Sequence, residues 1–171
     1  MRLGLEAVKA PQAEALTIES LCHACGRTKG SFYHHFKGME DFLEAVLDEW
    51  ERAFTNRLIE QTASEPASVR RLSALDALAA SLDRDIEQGV RRLASRGPAF
   101  AARIARVDAK RIAFLESVYV GLLHNKREAV AMARLEYAAF LGFQQLDPKI
   151  VGQDPSKLYA QYLKLVRASG R

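Results

Sequence analysis

The chain has 171 residues, only two cysteines, and no apolar run near the ~20 residues that a bilayer span requires. No membrane partner is therefore expected. The first apolar stretch is short and broken by Arg2, Glu6 and Lys9, so no signal peptide is read and a cytoplasmic, reducing location is expected. Cys22 and Cys25 form a C-x-x-C pair with His23 between them. Zinc would need four ligands, and this set is incomplete. A redox dithiol ordinarily sits at a strand–helix junction, which the pattern lacks. Small core residues are the first reading for both cysteines, and a thiol switch is the second. His34 and His35 are adjacent, so on a helix they point roughly 100° apart and cannot easily share an ion. There is no glycine-rich phosphate loop, and no Ser/His/Asp or Cys/His set on a scaffold that would expose a nucleophile. Catalytic residues, metal ligands and cofactors are each expected to be none, and the chain is not expected to be an enzyme. Internal repeats and low-complexity segments are also lacking.

What is present is a globular composition, with 49% hydrophobic and 27% charged residues. The net charge of +4 permits an anionic partner without requiring one. The charge is unevenly placed. Residues 1–38 hold Arg2, Lys9, Arg27, Lys29 and Lys37 against Glu6, Glu14 and Glu19, a net of +2. Residues 39–65 hold Arg52 and Arg57 against eight acids, a net of −6. A basic head would thus be followed by an acidic stem that phosphate repels.

The most organised stretch is Thr17 to Phe36. Ile18, Leu21, Cys22 and Cys25 recur at helical spacing, and Thr17 is placed to cap that helix. Gly26 suits a tight turn. Thr28 caps a second helix, on which Phe32 and Phe36 share a buried face. Lys29, Gly30, Tyr33 and His34 lie opposite, with Ser31 beside them and Lys37 just beyond the end. This is the layout of a helix-turn-helix whose second helix enters the DNA major groove. Gly30 is a poor helix former, so its position suggests close approach of the duplex. Ser31 can bond a base edge or a phosphate. An ordinary helical hairpin with a solvated polar face is the competing reading of the spacing alone.

The run G-R-T-K-G-S-F-Y-H-H-F-K-G-M-E-D-F-L (Gly26 to Leu43) resembles the DNA-binding head of the TetR family of transcriptional repressors. Gly26, Lys29, Gly30, Tyr33, His34, His35 and Phe36 fall on matching positions. The resemblance implies an all-α fold: a three-helix helix-turn-helix domain over residues 1–38, and a helical ligand-binding and dimerisation domain over residues 39–171. It implies that Thr17, Thr28, Lys29, Ser31, Tyr33, His34 and Lys37 touch a palindromic operator in double-stranded DNA. It further implies a repressor released from that operator by a small-molecule effector. Arg27 stands where the family usually buries an aliphatic residue, and Met39 where a lysine is common. In the family the first helix begins several residues earlier. These departures motivate an alternative, a helical ligand-binding or interaction module with a truncated or vestigial head.

Further along, periodicity and breakers predict helices over about 2–10, 39–63, 66–81, 83–95, 98–123, 126–146 and 155–168. Leu43, Leu47, Trp50, Phe54 and Leu58 make one stripe on the second of these. Candidate pocket residues in the body are Trp50, Phe54, Leu75, Leu78, Phe100, Ile104, Phe114 and Tyr119, each of which, taken singly, reads first as plain core. Arg91, Arg92, Arg96, Arg103, Arg106, Lys110 and Arg111 crowd two helices and read first as a solvated charged face. The helices over 126–146 and 155–168 are apolar on more than one face, which predicts a homodimer seam built from two helices of each subunit.

Overall fold

A computed structural model describes residues 2–9, 13–65, 69–123 and 125–169. Among these there is no strand, and the expected all-α class holds. The order is α1 (Arg2–Ala7), α2 (Ile18–Ala24), α3 (Lys29–His35), α4 (Met39–Glu51), α5 (Arg57–Ala63), α6 (Val69–Ala80), α7 (Arg84–Arg92), α8 (Pro98–Val120), α9 (Lys126–Gln145), α10 (Pro148–Val151) and α11 (Pro155–Ser169). The expected helix over 39–63 is interrupted by a widened π turn, Arg52–Asn56, which periodicity did not reveal. The expected helix over 83–95 ends early in a 3-10 turn, Leu93–Arg96. The expected helix boundaries at residues 10 and 66 lie outside the described residues.

The chain forms two compact units. The first comprises Met1–Ala53 and Asp85–Arg106, and the second Phe54–Arg84 and Val107–Arg171. In the first, Leu5 of α1 and Val8 just after it are buried, as are Leu43, Val46, Leu47 and Trp50 of α4, while Leu3 is exposed. The backbone of α7 comes close to the end of α1. A methyl on Gly89 would overlap the Val8 carbonyl oxygen and lie 2.6 Å from the Val8 carbonyl carbon, so only glycine fits there. Arginines secure the same region. Arg92 reaches the carbonyls of Val8 and Lys9 at 3.4 and 3.5 Å, and Arg96 donates to the Leu16 carbonyl at 3.3 Å. At the centre lies a fully buried carboxylate, Glu87. It accepts from Trp50 Nε1 at 2.7 Å and pairs with Arg91 at 2.8 Å. Burying such a charge is tolerable only when it is bonded in this way.

The second unit packs α6, α9 and α11 around Leu72, Leu75, Val118, Ala133, Tyr137, Phe140 and Tyr159. Arg111 is also buried here. It donates to Thr55 Oγ1 at 2.8 Å and to the Phe54 carbonyl at 3.3 Å, two groups that the π turn presents. Arg84 caps the end of α9 by donating to the carbonyls of Gln144 and Leu146 at 2.7 and 2.6 Å.

The solvated face expected over residues 91–111 is therefore corrected. Arg91, Arg92, Arg96 and Arg111 bind internal partners as described. Arg103 bonds Asp48 and Glu51, and Lys110 bonds Asn56 at 2.6 Å. Burial opposes the charge on Arg103, but the bonds and charges of Asp48 and then Glu51 outweigh it, and its pKa is raised. Arg106 stays exposed.

Candidate nucleic-acid interface

Two caps build the head. Ser20 N–H donates to Thr17 Oγ1 at 3.1 Å, and Thr17 N–H donates back to Ser20 Oγ at 3.1 Å, a reciprocal capping box on α2. The Ser20 half of that box was not read from the sequence, although the T-x-x-S spacing carries it. Ser31 N–H donates to Thr28 Oγ1 at 3.1 Å and opens α3. Between the helices, Gly26 adopts φ +60°, and Arg27 N–H donates to the Cys22 carbonyl at 2.8 Å. The turn is short because these bonds close it, and it sets the direction in which α3 leaves.

Phe32 anchors α3 from behind. It is buried, with its ring 5.4 Å from Phe36 and 5.9 Å from Phe42 of α4. Phe36 itself caps the helix and is only half-buried. Lys37 N–H donates to Asp41 Oδ2 at 2.9 Å and fixes the link to α4.

With Phe32 inward, the other face turns out. Thr17, Thr28, Lys29, Gly30, Tyr33, His34 and Lys37 are all exposed, and Ser31 is half-buried. Tyr33 is 57% exposed although its ring meets the edge of Phe32 at 5.6 Å. Lys29 has a 3.5 Å contact with Glu19 in which both side chains are open to solvent, an interaction worth little. Lys37 has no ion-pair partner among the described residues. A methyl on Gly30 would meet only Thr28 Oγ1, at 3.8 Å, so the protein's own packing does not require glycine there. Arg27 is exposed rather than buried, so the departure at this position places no charge in the core. His35 is exposed too.

A second feature lies within the other unit, a cavity of about 60 Å³. Phe54, Leu75 and Phe114 line it, with Thr55, Arg111, Glu136, Tyr137, Phe140 and Tyr159 among the other wall residues. Leu78 and Tyr119 belong to the surrounding apolar cluster without lining the cavity. Trp50, Phe100 and Ile104 are buried in the first unit instead. The polar wall was not foreseen. It is a bonded network, in which Tyr119 donates to Glu136, Tyr137 donates to Asp108 at 2.6 Å and Arg111 reaches Tyr137 at 3.4 Å. None of the described His, Cys, Asp and Glu residues cluster in a way that could hold a metal ion.

Two capped helices across a tight turn, with an apolar back and a polar, partly cationic front, define a helix-turn-helix DNA-binding protein. Residues 13–46 match the family model described as bacterial regulatory proteins, tetR family. That match identifies this stretch as a TetR-type helix-turn-helix head and marks the protein as a DNA-binding transcriptional regulator. Neither the curated proteins nor the solved structures give a match to it. No described helix is long and apolar enough to cross a membrane.

Proposed function

We propose that this regulator is a cytoplasmic, non-enzymatic, homodimeric repressor that a small molecule releases from a palindromic operator. Residues 1–38 would supply the DNA contacts, and residues 39–171 the ligand and dimer functions. The observation that carries the DNA reading is the front of α3, where Lys29, Tyr33 and His34, together with Lys37 just beyond, are exposed and have almost no structural task. Thr17, Thr28 and Ser31 would bond phosphates or base edges beside them, and Gly30 would let the duplex come close. Two copies would place their α3 helices in successive major grooves, roughly 34 Å apart.

Dimer formation is supported by apolar side chains left open on α9 and α11, where Leu135 is 61% and Leu165 69% exposed. The cavity supports the effector reading. It is smaller than the roughly 300–1,000 Å³ of drug-sized sites, so a ligand of that size would have to displace Leu75, Phe114 or Phe140 to enter. Such a ligand acts only through its differential affinity for the operator-bound and released arrangements.

The test is a salt-titrated binding assay of the full chain against duplex DNA flanking its own gene. Specific, salt-sensitive binding that Lys29→Ala and Tyr33→Ala both weaken is expected. Operator affinity unaffected by either change would remove α3 as the reading helix. Absence of binding even at low salt would favour the alternative, a helical interaction module with a vestigial head.

A further inference from the structure

We propose that Cys22 and Cys25 are a modification site, a dithiol that a hydroperoxide oxidises to a disulfide, resetting the turn that aims α3. Its regulatory consequence rests on the DNA-binding reading above; its chemistry rests on the geometry of the head alone. Both cysteines are free thiols, and both line one groove of about 320 Å³ in the first unit. Leu21, Phe32 and Phe42 also line it, as do the exposed Arg27 and His35. The two thiols differ in access. Cys22 is 7% exposed, whereas Cys25 closes α2 as its C-cap and is half-exposed. A small oxidant therefore meets Cys25 first, and Cys22 is the resolving thiol behind it.

The steps balance. The Cys25 sulfur attacks the distal oxygen of the hydroperoxide; an S–O bond forms, the O–O bond breaks, and the alcohol (water, from hydrogen peroxide) leaves with the thiol proton. The Cys22 sulfur then attacks the Cys25 sulfur; the S–S bond forms, the S–O bond breaks, and water leaves with the Cys22 proton. Two thiols lose two electrons, and one hydroperoxide gains them.

Closure is within reach but is not neutral. Residues three apart on a helix have Cα atoms roughly 5 Å apart, inside the disulfide range. Their Cβ atoms are about 5–6 Å apart on a helix, against roughly 3.8 Å in a disulfide. Cys22 is held in the core, so Cys25 must do most of the moving. Cys25 N–H donates to the Leu21 carbonyl at 3.0 Å, and the Cys22 carbonyl accepts from Arg27 N–H at 2.8 Å. The residues to be bridged are thus the same ones whose backbone closes the turn before α3.

The experiment treats the full chain with hydrogen peroxide, maps the products by peptide mass, and follows amide hydrogen exchange at Arg27. It also measures affinity for a duplex that the reduced chain has selected from a random pool. Expected are an intramolecular Cys22–Cys25 disulfide, at least tenfold faster exchange at Arg27, and at least tenfold weaker duplex binding, all reversed by dithiothreitol. Cys25→Ser, at the half-exposed position, should bind like the reduced parent and lose the peroxide response; Cys22→Ala is the second variant. A disulfide that fails to form, or one that leaves both exchange and affinity unchanged, overturns the proposal. If the reduced chain selects no duplex, the DNA-binding reading falls separately, and unchanged exchange at Arg27 on oxidation still decides against the switch.

Discussion

Two groups of basic side chains occupy this molecule, and they differ in what they are attached to. Around α3, Lys29 has one loose surface contact and Lys37 has no ion pair among the described residues. Between Arg91 and Arg111, nearly every cation is committed, to a buried carboxylate, to backbone carbonyls or to a π turn. The denser group is the structural one, and the sparser group is the one left over for a partner. A count of positive charge along the sequence ranks them the other way. Availability is decided by partners distant in the chain. Glu87 lies 37 residues from Trp50, and Arg92 lies 84 from the carbonyl of Val8.

The sharpest way to break this contrast is to remove a committed group. Glu87→Ala would remove the carboxylate that the buried Trp50 indole and the half-buried Arg91 guanidinium bond, and Arg111→Ala would strip the Thr55 hydroxyl and the Phe54 carbonyl. Each should cost about 3–5 kcal/mol of unfolding free energy in urea titrations. A loss below about 1 kcal/mol would mean that water replaces them easily. Gly89→Ala forces a methyl against main chain and should cost about 1–3 kcal/mol in the same assay. By contrast, Lys29→Ala should leave stability within about 0.5 kcal/mol. It should still weaken operator binding and reduce the slope of log affinity against log salt by about 1. Equal damage to stability from Lys29→Ala and Arg111→Ala would erase the distinction.

The smallest effect tests an exposed pair. Arg52 bonds Glu49 at 2.6 and 2.9 Å, and that hydrogen bond, ahead of the opposing burial, holds the Glu49 pKa below its ordinary value of 4.5. A carboxylate with a lowered folded pKa contributes stability above the unfolded value and loses it as pH falls through the folded one. Arg52→Ala should therefore cost about 0.3–0.5 kcal/mol at neutral pH, and the difference from the parent should fade below the folded pKa of Glu49. A difference that persists in acid would assign the effect to packing of the arginine stem instead.

The head was legible because its signals are local. Thr17, Gly26, Thr28, Phe32 and the residues opposite Phe32 each declare themselves against neighbours within about five positions, the range over which caps, turns and helical faces operate. The helices of the body were legible for the same reason, from periodicity and from breakers such as Gly97–Pro98. What periodicity could not show is which distant groups meet. The π turn at Arg52–Asn56 presents its Phe54 carbonyl and Thr55 hydroxyl to Arg111, 57 and 56 residues on. The position of Trp50 on an apolar stripe said nothing of the carboxylate at Glu87. Phe54, Leu75 and Phe114 meet at the cavity while Trp50, Phe100 and Ile104 belong to the other unit, because a helical stripe identifies an inward face but not the neighbour it faces.

The fit of Gly89 against Val8 has a practical corollary. The stretch that matches the family model stops at residue 46, yet part of the wall supporting the first helix comes from the chain around residues 87–96. Anyone splicing this reader onto a foreign body by cutting within the acidic stem would leave that wall behind. The transplanted piece would expose the indole of Trp50 and the main chain of Val8 to water. A working chimera must carry both stretches, even though the numbering separates them by some forty positions.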